Sequence, residues 1–285
     1  MINKFRRCAL RSLMLAAVLM VILLAGPATG AKGNSFFSTP GQAEVAKPDD
    51  QAVREARDNL NNGVKAFVER KYEEAAQFFE KAVELDPEFE TARMYLATVY
   101  TSQFVPGSSD PKNEQMAQKG IETFKQVVEG SKDQANSSYI LAMLTIARIY
   151  YQLRKYDDSK EWCNKVIQAN PQHAEAYYRI AVIDFDNVFE KTGVQGENVE
   201  HMNPEEKAEA LKDIDEGLTS LDKALEIRPT YFDAMEYQNL LLREKAKFEQ
   251  DEMTRAELIR QANLIAQRAL GLRLKAQEKS GWPKK

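Results

Sequence analysis

The hydrophobic pattern of the chain is clearest from Lys71 to Pro87, KYEEAAQFFEKAVELDP. Apolar residues recur there at steps of three and four, which is the period of a helix with one buried face, and Glu and Lys fill the opposite face. Pro87 lacks an N–H and clashes with the preceding turn, so the helix is predicted to end before it. The stretch from Asn59 to Arg70 predicts a partner helix, in which Gly63 lets two backbones approach closely. Together the two stretches predict a helix hairpin.

Variants of this hairpin recur along the rest of the chain. Further hairpins are predicted to begin at Thr91, Ile140 and Ala176, and a last, atypical pair begins at Phe232. Asn203 and Thr254 are predicted to cap the second helices of the fourth and the last pair. Two insertions, 104–110 and 190–203, interrupt the spacing. Small residues at equivalent positions are predicted to form the contacts between helices: Gly63, Ala75, Ala82, Ala97, Ala147, Ala181, Gly217 and Ala224.

The spacing of six residues in the first hairpin resembles that of the tetratricopeptide repeat: Gly63, Tyr72, Ala75, Phe79, Ala82 and Pro87. This resemblance implies an all-α fold, a right-handed superhelix (α-solenoid) of about five stacked antiparallel helix pairs. We expect this repeat domain to span residues 50–274. The resemblance also implies a general role in protein binding, but it specifies neither a substrate nor any chemistry.

The resemblance further implies that the first helix of each pair lines a concave groove. The predicted partner-binding residues in that groove are Phe67, Met94, Arg148, Tyr151, Tyr178 and Phe185. Aromatic, aliphatic and Arg side chains together suit an extended peptide or an amphipathic helix. Alternatively, several of them belong to the core between repeats. A two-carboxylate clamp, by which some relatives bind chaperone C-termini, is absent because its positions hold Leu60, Val64, Leu141 and Thr145.

The first 30 residues have the pattern of a targeting segment. They contain four basic residues and no acidic one, followed by the apolar run from Leu13 to Ala25. A run of this length is too short to span a bilayer of about 30 Å, but it suits the core of a signal peptide. The small residues 28–30 then predict cleavage before Ala31 and export, to the periplasm of a bacterial cell. The alternative is an uncleaved N-terminal membrane anchor, which would tether the protein to the membrane.

The segments that flank the predicted repeat domain have different compositions. Residues 31–49 are rich in small residues, Gly and Pro, and are predicted to form a flexible linker. Residues 275–285 are predicted to form a basic, polar tail. Removal of residues 1–30 would change the formal net charge from −4 to −8. Because phosphate backbones are bound by clustered Lys and Arg, we expect no nucleic-acid partner.

No catalytic motif is recognisable in the sequence. There is no Gly-rich phosphate loop, no G-x-S-x-G elbow and no H-E-x-x-H pattern. Asp184 and Asp186 are two residues apart on a predicted helix and do not share a face, so they do not predict a metal site. We therefore expect no catalytic residue, no cofactor and no metal. The sequence instead predicts a non-enzymatic interaction scaffold or assembly factor of the cell envelope, whose partner is another protein or peptide.

Two other functions remain compatible with these observations. One is an accessory subunit of an envelope enzyme or secretion complex. The other is an enzyme whose grafted site has no recognisable motif, because repeat folds host activity only when a site is added to them.

Overall fold

The computed structural model describes residues 50–131 and 136–279. The predicted signal peptide and linker, and residues 280–285 of the predicted tail, lie outside this part. Within it there are ten α-helices, one short 3₁₀ helix and no strand. None of these helices is both long and apolar enough to cross a membrane.

The helices follow one another with short connections. They are α1 (Asp50–Val68), α2 (Tyr72–Leu85), α3 (Glu90–Gln103), α4 (Pro111–Gly130), α5 (Ser137–Gln152), α6 (Tyr156–Ala169), α7 (Ala174–Thr192), α8 (Pro204–Ile227), α9 (Phe232–Phe248) and α10 (Glu252–Lys279). Each odd-numbered helix packs against the next even-numbered one, and each even-numbered helix packs against the first helix of the following pair. The predicted all-α stack of five helix pairs is confirmed.

First and second helices lie on different sides of this stack. First helices of neighbouring pairs pack directly on each other at α1–α3, α3–α5 and α7–α9. Among the described residues, second helices of neighbouring pairs show no comparable packing. The stack therefore curves with the first helices inside, and we call the surface they form the concave surface.

Small residues allow the helices to pack closely. All eight residues predicted for these contacts are buried: Gly63, Ala75, Ala82, Ala97, Ala147, Ala181, Gly217 and Ala224. A Cβ added at Gly63 would lie 2.5 Å from the Phe79 ring. A Cβ added at Gly217 would lie 2.7 Å from Leu241 Cδ1 on the next pair. Since real Cβ atoms do not approach other atoms so closely, a side chain at either position would force Phe79 or Leu241 to shift.

The buried side chains form two hydrophobic clusters. The first extends from α3 to the beginning of α7 and includes Ile146 and Cys163, and the second joins α7, α8 and α9 around Ile214 and Leu241. Burial raises the pKa of the Cys163 thiol to about 12. This cysteine therefore remains a neutral thiol inside the core and is not a nucleophile.

Both insertions are hydrogen-bonded to neighbouring helices. In the first, the Asn113 side chain accepts a hydrogen bond from the Val105 N–H at 2.6 Å and donates one to its carbonyl at 2.9 Å. In the second, Lys247 Nζ of α9 donates to the carbonyl of Gly193 at 2.8 Å. A 3₁₀ helix, Val199–His201, also lies in this insertion.

The helix ends agree with the sequence prediction at α8 and differ at α10. Asn203 and Glu206 form a capping box, with reciprocal hydrogen bonds of 2.9 and 2.8 Å. α10 was expected to begin with Thr254 as its cap, but it begins at Glu252 because the Asp251 carboxylate accepts from the Thr254 N–H at 2.8 Å. α10 also continues to Lys279, past the expected end of the repeat domain at residue 274.

Candidate functional site

The six predicted groove residues lie on four different helices. Arg148 and Tyr151 lie on α5, Tyr178 and Phe185 on α7, Met94 on α3 and Phe67 on α1. Met94 and Phe185 are only 8% and 4% exposed. These two side chains pack between helices, in agreement with the alternative that several of the six residues belong to the core between repeats. They expose little surface, and their role in partner binding stays a prediction.

Phe67 is half-buried within its own hairpin and is not grouped with the residues of α5 and α7. Its ring centroid lies 5.7 Å from that of Tyr72, the first residue of α2. Of the other predicted residues, Arg148 and Tyr151 lie on α5 and Tyr178 on α7, the first helices of two neighbouring pairs.

An aromatic cluster joins α7 and α9 on the concave surface. Tyr178 packs against Tyr231 and Tyr237, with centroid separations of 5.1 and 5.5 Å, and Phe185 lies 5.6 Å from Tyr237. Burial raises the pKa of Tyr178, which is therefore neutral at physiological pH. Tyr237 is central to this cluster, but the sequence does not mark it as a groove residue because the family pattern is weak in the last helix pair.

α5 and α7 are joined by side chains and have little direct backbone packing. The Tyr151 hydroxyl donates a hydrogen bond to the buried Asp186 carboxylate, and Arg154 forms an ion pair with Glu190. Burial, together with the negative charge of Asp186, raises the pKa of Tyr151. The hydroxyl group of Tyr151 thus links two repeats, and its predicted contact with a partner stays a prediction.

Arg148 differs from the other charged residues of this region. It is half-buried, and its guanidinium makes no hydrogen bond or ion pair with residues 50–131 or 136–279. Burial, and then the like charge of Arg179 on α7, lower the pKa of Arg148 to about 10. Arg179 itself is paired with Glu175 of the same helix, at 2.6 Å between Nη2 and Oε1. The concave surface therefore carries one guanidinium with a partner and one without.

A second group of charges ties three helices together on the other side of α7. Lys160 Nζ of α6 lies 2.7 Å from Asp184 Oδ1 of α7 and 3.1 Å from Glu216 Oε2 of α8. Asp184 is 1% exposed, and burial raises its pKa to about 7 although Lys160 opposes this shift. Asp213 of α8 belongs to the same group, and it accepts a hydrogen bond from Asn187 Nδ2 at 2.6 Å.

These three carboxylates are the residues that could hold a metal ion. Oxygen atoms of Asp184, Asp213 and Glu216 lie within 4.8 Å of one another, and oxygen ligands of this type suit a hard divalent cation. However, the Lys160 ammonium already lies between two of them. We therefore interpret the group as an ion-pair network, which the helical pattern does not reveal because Lys160, Asp184 and Glu216 lie on three different helices.

An open cavity lies near this network, between the second helices α6 and α8. Its volume is about 720 Å³, and Ile180 of α7 is among the residues that line it. The other lining residues are mostly polar: Lys160, Asn164, Ala208, Leu211, Lys212, Asp215, Glu216, Thr219 and Ser220. The cavity is thus separate from the concave surface.

Comparison with known proteins identifies the repeats. The family model described as tetratricopeptide repeat matches residues 69–89 and 141–173. A crystal structure of MamA protein is 14% identical, with 81% of this chain and 97% of that chain covered and a TM-score of 0.53. A second MamA crystal structure is 16% identical, with 76% and 96% covered and a TM-score of 0.52. At these identities the likeness concerns the fold alone. Comparison with curated proteins gives no match.

Proposed function

Because this chain is a tetratricopeptide repeat protein, we propose that it is a non-enzymatic scaffold or assembly factor of the bacterial cell envelope. In this proposal, the concave surface binds a segment of another protein, either an extended peptide or an amphipathic helix. Stacked repeats are suited to such a role because they form extended surfaces from regularly spaced helices.

The observation that carries this proposal is the region of the concave surface where α5 and α7 are joined only by side chains. Half-buried apolar residues, Leu144 and Val182, lie on these two helices, and the aromatic cluster of Tyr178 and Tyr237 continues from α7 to α9. Arg148, also on α5, has an unused guanidinium. A bound segment would cover partly exposed apolar surface there and could contact this charged group.

The envelope location rests on the sequence of residues 1–30. Its basic start, short apolar run and small residues at 28–30 favour export and cleavage. The predicted linker, 31–49, would separate the repeat domain from a membrane if the segment remained uncleaved.

Site-specific photo-crosslinking in the native cell tests where the partner binds. A photoreactive amino acid, p-benzoylphenylalanine, would replace Leu144 or Val182 on the concave surface, and Glu122, which is exposed on α4, would be the control position. We expect one common adduct from the two concave positions and none from the control. Equal adducts at all three positions, or none at the concave positions, would contradict the proposal.

The cavity between α6 and α8 is a second candidate contact surface. Its volume and its position beside the N-terminal half of α8 favour this alternative. The same photoreactive residue at Asn164 would detect it. An adduct at Asn164 without adducts at Leu144 and Val182 would move the binding site to the second helices.

A further inference from the structure

The geometry points to an anion-binding subsite at Arg148, and we propose that it takes the side-chain carboxylate of an Asp or Glu in the bound protein segment. This inference rests on the proposed function and specifies the chemistry of its partner. Arg148 is not one of the positions that form the two-carboxylate clamp of some relatives. In α5 those clamp positions hold Leu141 and Thr145.

The first step is that the Arg148 guanidinium has no partner among the described residues, although its side chain is half-buried. The group has five N–H donors, and none of them is used within the described residues. Burying a charge without a partner is unfavourable, so such groups are normally paired. A bound carboxylate would supply the missing partner, since it accepts two parallel hydrogen bonds from one guanidinium.

The second step is that the acidic residues near Arg148 are already engaged. Glu175 Oε1 accepts from both Nε and Nη2 of Arg179, at 3.1 and 2.6 Å. Asp186 accepts the hydrogen bond from Tyr151 across the gap between α5 and α7. Arg179 also lowers the pKa of Arg148 through its like charge. The two guanidiniums and two carboxylates named here balance in formal charge, but both carboxylates are already hydrogen-bonded to other side chains, so neither of them pairs with Arg148.

The third step is the choice of a protein carboxylate among possible anions. Nucleic acids and anionic membranes require clusters of basic residues, and an acidic chain repels them. Arg148 instead offers one unused guanidinium, on a helix that also carries the half-buried apolar side chain of Leu144 one turn earlier. A single acidic residue with apolar neighbours in a peptide matches this combination.

The test uses a displayed library of random dodecapeptides, selected on the purified full chain with p-benzoylphenylalanine at Leu144. Peptides that crosslink at this position would be synthesised with amidated C-termini. We expect them to share one Asp or Glu with apolar neighbours. Binding to the wild-type chain would then be compared with binding to Arg148→Met, and each peptide with its Asp→Asn or Glu→Gln form.

Either change should weaken binding about tenfold to a hundredfold, as expected for a charge-assisted hydrogen bond. Both changes together should weaken it no further than one alone, because they remove the same interaction. Arg154→Met is the control, since it removes a guanidinium from the same hairpin that is ion-paired with Glu190. It should change binding less than threefold.

The outcomes separate this inference from the proposed function. If crosslinked peptides bind through apolar residues alone, or need a free C-terminal carboxylate, the inference is wrong and the proposed function stands. If Arg148→Met and Arg154→Met weaken binding equally, the effect is general electrostatics and the inference is also wrong. If no peptide crosslinks at the concave surface, both the inference and the proposed function fail.

Discussion

Lys160→Met is the most informative single change for the stability of the fold. It removes the ammonium that lies 2.7 Å from Asp184 Oδ1, while the Met side chain retains much of the packing of the Lys stem. Because Asp184 is 1% exposed, the variant leaves a buried carboxylate without its counter-charge. Breaking a buried ion pair in this way costs about 3–5 kcal/mol. We expect the free energy of unfolding to fall by about 3 kcal/mol at pH 8.5.

The pH dependence of this loss follows from the pKa of Asp184. Burial raises it from 3.8 to about 7, so the folded protein holds this proton more tightly than the unfolded chain does. In the wild type, stability therefore falls as pH rises from about 4 to about 7, by about 4 kcal/mol in total from this group. Without Lys160 the pKa moves higher still, and the fall continues above pH 7. The variant should accordingly lose less stability at pH 5.5, where Asp184 takes up a proton, than at pH 8.5.

Urea denaturation followed by far-UV circular dichroism at both pH values measures this difference. Lys245→Met is the matched control because it removes an exposed ion pair with Asp215, and it should change stability by less than about 0.5 kcal/mol. Adding Asp184→Asn to Lys160→Met should restore stability at pH 8.5, since a neutral amide needs no counter-charge. An equal loss at both pH values, or no rescue by Asn, would refute the interpretation of this network.

Three other predictions concern separate parts of the molecule. Arg148→Met should stabilise the unbound protein by about 1–3 kcal/mol, because burial and the like charge of Arg179 disfavour the charged guanidinium. Thermal denaturation measures this change, and a lower melting temperature would show that Arg148 has structural partners. Gly217→Ala should cost about 1–3 kcal/mol through contact with Leu241, whereas Gly271→Ala, with nothing within 4 Å of its added Cβ, should be neutral or slightly stabilising. Intact mass of protein from the native cell should give a mature chain that begins at Ala31, and a full-length, membrane-bound species would instead support the anchor.

The sequence predicts the helix hairpins well because their determinants are local. The steps of three and four, the small residues such as Gly63 and Ala75, and the stop at Pro87 all act within about one repeat. Burial on the concave surface is harder to predict. α5 and α7 are apolar on several sides, so the pattern does not show that Phe185 is buried while Arg148 remains partly open.

Interactions between distant residues could not be predicted from the pattern. Lys160, Asp184 and Glu216 belong to three helices and are brought together only when these helices stack. The cap of α10 was misplaced for a different reason. Asp251 and Thr254 are both suitable capping residues, and the difference in capping free energy between them is too small to be predicted from the sequence.

The buried carboxylate of Asp184 and the half-buried guanidinium of Arg148 both lose hydration in the fold, but with different consequences. Asp184 is compensated inside the protein by Lys160, so removing its partner should destabilise the fold. Arg148 has no partner among the described residues, so removing the charge itself should stabilise the unbound protein. Residues that reduce stability in the free state are expected where a protein binds something else, because the bound group completes the interaction. Lys160→Met should lower the free energy of unfolding and Arg148→Met should raise it. Measuring both in the same unfolding experiment therefore distinguishes a charge that stabilises the stack from one that is available to a partner.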